Sequence, residues 1–462
     1  MFKEEDYAKI HLEVLSKIRP KTEERERLES EYTSIKEKIS SILDKEGINA
    51  KIELCGSFSR DTWLSGNRDL DIFIKLPYGS LIEPDRIIKI VKKGIDLPWQ
   101  KKHANHPYLF SKKDDFEIEI IPCYEIENGM RVRSPVDRSP LHKKFIVKNL
   151  PAGANDEVRL LKQFMRGVET YGAEIKVHGF SGYLVELLII YNDGKFLEAL
   201  KNIKNLPGKI VKFNNEEVCN NKKFENEPLI VLDPTDKYRN VASAVKQQAL
   251  NEFIAAAENY LRNPSINYFF PKKIIMNASR IEEIRKSDLC IISMIHKKPA
   301  IVDDILWGQL RKFERSINNH LSSEGFRIIK INSIDIDEKI ITTIVCEDQY
   351  VDKYQWNQGP PVDNPEQEKF LTKYLTNNSV IYGPTIIEDK WAVLIKREKI
   401  SIENSILFAI EKNLISLPSH LQLKKKEMKF MNKEALLQTF PQNETVLRFI
   451  YKMMKGKPSY LE

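Results

Sequence analysis

The stretch that decides the fold is Leu54-Cys55-Gly56-Ser57-Phe58-Ser59-Arg60-Asp61-Thr62-Trp63, followed shortly by Gly66-Asn67-Arg68-Asp69-Leu70-Asp71-Ile72-Phe73-Ile74. Side chains alternate across a strand, so Asp69 and Asp71 share one face while Leu70, Ile72 and Ile74 take the other, toward a core. Two carboxylates held that close repel each other, and a divalent cation between them removes the cost. Phe116-Glu117-Ile118-Glu119-Ile120-Ile121 repeats the pattern, with Glu117 and Glu119 on one face and Phe116, Ile118 and Ile120 on the other. If the two strands are neighbours, Glu117 or Glu119 reaches the cation held by Asp69 and Asp71. Three convergent carboxylates can hold two magnesium ions about 4 Å apart, the arrangement of in-line phosphoryl transfer. Gly56-Ser57 lies between a strand at 50–54 and an expected helix. There glycine lets backbone approach a phosphate and serine offers a hydroxyl. Singly, an Asp-x-Asp on a strand face or a Gly-Ser turn is commonplace; their combination is the informative feature.

The chain has 462 residues, which suggests roughly three domains. Its apolar and charged fractions are those of an ordinary globular protein. A net charge of +7 fits either a slightly basic soluble protein or a phosphate-rich partner, and charge alone does not choose. Cys55, Cys123, Cys219, Cys290 and Cys346 are scattered and odd in number, never in a metal-knuckle spacing. That argues for reduced thiols in a cytoplasmic protein, against a structural zinc site or a disulfide scaffold. The N-terminus is too charged for a secretory signal. The most apolar run, 183–191, is broken by Glu186 and too short to cross a bilayer, so no membrane role is expected.

Helical periodicity predicts a helix over 22–46, with Leu28, Tyr32, Ile35, Ile39 and Ile42 on one face and Gly47 as its stop. Alternation predicts strands at 69–76 and 116–121, making 1–147 an α/β head. A helix over 155–171 carries Val158, Leu161, Met165 and Val168, with Asn155 as cap and Gly172 as stop. Another runs over 241–261 and ends at Asn263-Pro264. A short, polar strand region lies between them, so 148–270 reads as a second, mixed domain. The remainder, 271–462, reads as α+β. A helix at 279–286, a strand at 289–295, a helix at 303–322 and strands at 326–331 and 340–346 begin a ferredoxin-like unit. A helix at 365–375 and a strand at 391–396 are candidates to complete it.

Gly-Ser, Asp-x-Asp and a later acidic strand together resemble the nucleotidyltransferase superfamily of DNA polymerase β. More narrowly, the chain resembles the archaeal, class I CCA-adding tRNA nucleotidyltransferases. The resemblance is carried by the run from Gly56 to Asp71, by Ile121-Pro122-Cys123-Tyr124 and by Val136-Asp137-Arg138-Ser139-Pro140-Leu141-His142. It continues in Asn155-Asp156-Glu157-Val158-Arg159-Leu160-Leu161-Lys162, Tyr171-Gly172-Ala173-Glu174 and Gly179-Phe180-Ser181-Gly182-Tyr183. Asp233-Pro234-Thr235-Asp236, Arg239-Asn240-Val241-Ala242 and Ile301-Val302-Asp303-Asp304 extend it to about residue 310. The resemblance implies template-independent addition of C, C and then A to the 3′ end of tRNA from CTP and ATP, with two Mg2+ ions. It implies that Asp69, Asp71 and Glu119 hold the metals and that Ser57 and Arg60 hold the triphosphate. Ser139, His142, Lys162 and Tyr171 fall at further nucleotide contacts, and Arg239, just before the 241–261 helix, at the base-reading position. The third carboxylate is usually Asp in the family and here is Glu119, with Glu117 as a substitute. The first is often Glu and here is Asp69.

The residues alone leave plainer readings open. Lys162 lies opposite its helix's apolar stripe and reads equally as a solvated lysine. An ideal helix would not bring Tyr171 to it. His142 beside Lys143-Lys144 could be a surface residue, and Arg239 could simply pair with Asp233 or Asp236. The C-terminal region is expected to hold the tRNA acceptor arm, with Arg311, Lys312, Lys424, Lys425, Lys426 and Lys429 as phosphate contacts or a solvated basic face. A homodimer is left open. Rivals are a poly(A)-type polymerase or small-molecule nucleotidyltransferase on the same head, and a non-catalytic RNA-binding relative.

Overall fold

Residues 69–76 form the strand that their alternation predicts, and the elements around it form an α/β head. A computed structural model describes residues 4–102, 106–127, 130–213, 221–398, 400–417, 420 and 428–461. The chain opens with α1 (Glu4–Ile18), whose Val14, Leu15 and Ile18 join the core of the central part, and the head contains α2 (Thr22–Lys45), β1 (Lys51–Leu54), α3 (Gly56–Ser59), β2 (Asp69–Leu76), α4 (Pro84–Gly94), β3 (Gln100–Lys102), β4 (Tyr108–Lys113), β5 (Phe116–Tyr124) and α5 (Ser139–Asn149). Its sheet has the order β1-β2-β5-β4-β3. β2 and β5 are parallel neighbours, and the other pairs are antiparallel. Leu70, Ile72 and Ile74 join Ile118 and Ile120 in a buried core with Leu28, Ile35 and Ile39 of α2 and Ile87, Ile88 and Val91 of α4. Each such side chain, fully buried, contributes about 1.5–3 kcal/mol. That burial fixes the register, because a one-residue slip would turn the carboxylates into the core.

The central part follows as α6 (Asn155–Gly167), α7 (Gly182–Tyr191), α8 (Phe196–Asn202), β6 (Ile210–Val211), β7 (Ile230–Asp233), β8 (Asp236–Asn240) and α9 (Gln247–Arg262). An aromatic-rich core gathers Phe164, Phe180, Phe196, Phe253, Tyr260 and Phe269. The helix expected over 155–171 stops at Gly167, and Ala154 rather than Asn155 precedes its first turn. Gly167 has no room for a side chain, since a Cβ would lie 2.1 Å from the Tyr268 carbonyl oxygen. Glu169 then turns the chain with φ 61°. The helix expected over 241–261 begins only at Gln247. Two unexpected helices, α7 and α8, precede the expected strand region, which forms as the sheet β6-β7-β8; the apolar run 183–191 is the body of α7.

The chain divides into two compact units, Met1–Lys272 with Pro458–Glu462, and Lys273–Lys457. The second contains α10 (Ala278–Lys286), β9 (Cys290–Lys297), α11 (Asp303–Ser323), β10 (Ile328–Ile336), β11 (Lys339–Cys346), β12 (Tyr354–Pro361), α12 (Gln367–Leu375), β13 (Val380–Ile387), β14 (Lys390–Lys396), α13 (Ile402–Glu411), β15 (Lys429–Asn432), α14 (Lys433–Thr439) and α15 (Glu444–Lys455). Its four-stranded sheet has the order β10-β11-β9-β15, antiparallel throughout. With α11 and α13 as the intervening helices, this is β-α-β-β-α-β connectivity. The expected closing elements are not the observed ones. α12 and β14 belong to a separate three-stranded sheet, β12-β14-β13, inserted before α13, and β15 closes the larger sheet. Among the described residues, no helix is long and apolar enough to cross a membrane.

Candidate active site

Parallel pairing of β2 with β5 sets Asp69 opposite Glu117 and Asp71 opposite Glu119, so the carboxylates expected to converge lie on one face of two adjacent strands. Burial and the charge of Asp69 push the Asp71 carboxyl up to about 6, against the pull of Arg60. Burial and the charge of Asp71 push Glu119 up to about 7, against Lys102 and a hydrogen bond from Tyr108. Asp69 is raised by burial and by Glu117. Glu117 itself reaches out to Lys112, 3.3 Å away. Gly56 locks the two sequence motifs together. Its φ is +67°, and a Cβ there would lie 1.7 Å from Asp71 Oδ2. The Cys55 amide also donates to the Asp71 carbonyl at 2.9 Å. Glycine is therefore required both by the backbone and by the carboxylate that it abuts.

Three hard oxygen donors in adjacent register, raised by burial and by neighbouring carboxylates and given room by Gly56, suit divalent cations in their chemistry. Among the described residues no three His, Cys, Asp or Glu side chains are closed into a metal-holding group.

The helix that bears Lys162 clasps the loop between the two motifs. Asn155 Nδ2 donates to the carbonyls of Arg60 and Asp61, each at 3.1 Å. Arg159 donates to the carbonyls of Trp63 at 2.9 Å and Asp61 at 2.7 Å. Lys162 Nζ donates to the Thr62 carbonyl at 2.9 Å. Lys162 is thus no solvated lysine: its side chain is 2 % exposed and lies 3.6 Å from Glu186, which is wholly buried. Arg60 Nε donates to the same carboxylate at 3.0 Å, and the Thr62 hydroxyl also donates to it. Burial opposes the Glu186 charge, but Arg60 and Lys162 outweigh it and hold the carboxyl below its usual range. Burial, reinforced by Arg60, Arg166 and Arg159, lowers Lys162 to about 8 despite Glu186.

Because α6 ends at Gly167, Tyr171 folds back to the helix that an ideal continuation would have carried it from. Tyr171 bridges to Phe180 as an isolated β-pair. A Cβ on Gly182 would meet Tyr171 Oη at 3.0 Å and Lys162 Nζ at 3.8 Å, so both polar ends border one glycine. Arg166 stands over the Tyr171 ring at 5.1 Å and acts favourably on the Asp69 charge.

A second cluster centres on Asp233, buried at 2 % exposure. His142 Nε2 donates to it at 2.8 Å, Arg239 Nη1 at 2.7 Å and the Thr235 hydroxyl at 2.8 Å. These donors hold the Asp233 carboxyl far below the usual range although burial opposes its charge. His142 is no surface residue; its ring stacks on Tyr183 at 4.0 Å. Burial keeps its pKa below the ordinary value despite Asp233. Arg239 lies on β8, not just before a helix, and its side chain stays 37 % exposed beyond its Asp233 contact. Ser57 is in α3 and Ser139 opens α5, both half-buried. Arg311 is engaged with Glu314 at 2.9 Å and Asn332 at 2.8 Å. Lys424, Lys425 and Lys426 lie outside the described residues.

Sequence reasoning gave no role to Glu186, Thr62, Arg159 or Arg166, whereas the pairing of Arg239 with Asp233 is the plainer alternative it had left open. The signal for Glu186 was there: a single carboxylate inside an apolar helix is almost never fully buried without a cationic partner.

Comparison with known proteins covers almost the whole chain. A nucleotidyltransferase domain family matches residues 35–151, the second domain of tRNA nucleotidyltransferases matches 156–270, and the C-terminal domain of CCA-adding enzymes matches 288–440. The chain is 35 % identical to a CCA-adding enzyme of Pyrobaculum aerophilum over 405 residues, 85 % of this chain and 92 % of that one. It is 36 % identical to one of Sulfurisphaera tokodaii over 403 residues, 86 % of this chain and 90 % of that one.

Proposed function

The chain belongs to the family of archaeal CCA-adding enzymes, and from that premise we propose how its residues perform the addition of C, C and A to the 3′ end of tRNA. The observation that carries the proposal is the facing of Asp71 and Glu119 across parallel strands, with Gly56 pressed against Asp71. Asp69, Asp71 and Glu119 would hold two magnesium ions, which when bound would lower the pKa of the RNA 3′ hydroxyl and offset the charge gathering on pyrophosphate. Ser57, Lys162, Tyr171 and the charge of Arg60 receive the triphosphate, with Glu186 keeping the two cations fixed in a site shielded from water. Ser139 and His142 line the nucleotide's other side, His142 oriented by Asp233 and Tyr183.

Arg239 reads the base. A guanidinium only donates, and it is always charged. Cytosine N3 and adenine N1 accept, whereas uracil N3 and guanine N1 carry hydrogens. Opposing donors in a closed site cost about 1–3 kcal/mol, roughly a ten- to hundredfold preference. Asp233 holds this arginine in place while leaving part of it free for a ligand.

The parts divide the work as a catalytic head at 1–147, a nucleotide-binding domain at 148–270 and a region from 271 onward that holds the tRNA acceptor arm, in a cytoplasmic enzyme. Asp71→Ala tests the metal assignment: transfer is lost while tRNA affinity stays within about twofold, since phosphate contacts elsewhere carry that affinity. Turnover like that of the wild type would overturn it. Glu119→Asp, the usual family residue, retains activity if the register is right.

A further inference from the structure

We propose that Cys290 and Cys346 form a redox-modification site, a cross-strand thiol pair that closes to a disulfide by exchange with a low-molecular-weight disulfide. Cys290 is the first residue of β9 and Cys346 the last of β11, and they are direct partners in the antiparallel register. Directly opposite residues share a face and have Cα atoms about 4.5–5.5 Å apart, within the roughly 4.4–6.8 Å that a disulfide spans. Cys346 Sγ already lies 3.7 Å from the Cys290 carbonyl oxygen.

The two thiols are unequal in a way that orders the reaction. Cys346 is buried and Cys290 half-buried, so a reagent from solvent reaches Cys290. Lys433 favours a Cys290 thiolate, against burial and Asp348, whereas burial and Asp348 both disfavour a thiolate at Cys346. Cys55 and Cys123 are both buried, with thiols raised chiefly by burial, Cys55 to about 12. Reactivity among these described cysteines is therefore concentrated at Cys290.

The chemistry balances without any group from the active site. The Cys290 thiolate attacks one sulfur of the small disulfide, forming a mixed disulfide and expelling one small thiolate. Cys346 gives its proton to that thiolate and attacks Cys290 Sγ, expelling the second. Two protein thiols are oxidised, and one small disulfide is reduced to two thiols. The link joins two neighbouring strands of the four-stranded sheet and closes a loop of roughly 55 residues, which should raise the unfolding midpoint of that unit by roughly 5–10 °C.

The test treats the folded full-length protein with oxidised glutathione, alkylates the remaining thiols and maps peptides by mass spectrometry. The expected result is a Cys290–Cys346 linked peptide, a chain lighter by two hydrogens, and a midpoint rise reversed by dithiothreitol. Cys346→Ser should stop at the glutathione adduct on Cys290, and Cys290→Ser should leave Cys346 unmodified. The proposal is overturned if the wild type stops at the adduct or if Cys290 is not modified.

Discussion

Replacing Gly56 by alanine tests the interlock of the Gly56-Ser57 turn with the Asp69-Leu70-Asp71 strand. The added Cβ would sit 1.7 Å from Asp71 Oδ2 and 2.7 Å from its Cγ. The carboxylate must therefore retreat by about 1.5 Å to reach ordinary contact. Misplacing a catalytic group by about 1 Å costs on the order of a hundredfold in rate. Separately, alanine at φ +67° costs about 1–2 kcal/mol of folding stability. Gly66 separates the two effects, because its φ is +84° but a Cβ there meets nothing within 4 Å. Gly66→Ala should lose about the same stability and keep most of its turnover. Gly56→Ala should lose roughly a hundredfold in kcat with tRNA affinity retained. The assay is incorporation of labelled CTP into tRNA lacking its terminus, at saturating substrates, with thermal melts of both variants. Equal turnover in two folded variants would refute the claim that Gly56 exists to seat Asp71.

Glu186→Gln should destabilise the protein by about 3–5 kcal/mol, because it removes the carboxylate that pairs with buried Lys162 and leaves Arg60 with Asp71 alone; a change below about 1 kcal/mol in chemical denaturation would show that the trio is not coupled. Lys162, lowered to about 8, should lose its proton as pH rises through that value, so kcat/KM for CTP should fall above pH 8 in the wild type but not in Lys162→Arg; a wild-type profile as flat as that of the arginine variant would sink the role of its charge. For stability the sign is opposite. A lysine whose folded pKa is depressed binds fewer protons folded than unfolded, so its penalty is full below about 8 and is relieved as pH rises toward the unfolded value of about 10.4. Arg239→Ala should lower the CTP-over-UTP ratio of kcat/KM by about ten- to hundredfold. Asp233 keeps His142 and Thr235 as donors in that variant, so an unchanged ratio with reduced rate would make Arg239 structural.

What the chain reveals unaided follows the range of the interactions involved. Alternation at 69–76 and 116–121 is local, and both strands form where it puts them. The parallel register that sets Asp71 opposite Glu119 joins distant segments, and no local pattern encodes it. Lys162 misleads for a physical reason. A helical wheel assumes water opposite the apolar stripe, but the opposite face of α6 grips the 60–63 loop. Tyr171 misleads in the reverse sense, since extending α6 past Gly167 points it away, whereas the turn at Glu169 brings it back. The closing strand of the C-terminal sheet was hidden by the insertion of β12 to β14, whose helix and strand imitate the missing half of the unit.

The most direct measurement uses the purified protein, magnesium, CTP and ATP with a tRNA transcript that lacks its three terminal nucleotides. Products are resolved at single-nucleotide length and sequenced, with each nucleotide also supplied alone. The expected result is C, then C, then A, and no further growth, with UTP and GTP scarcely incorporated. Homopolymeric extension with ATP or UTP alone, or no extension by a folded protein that binds tRNA, would contradict the assignment.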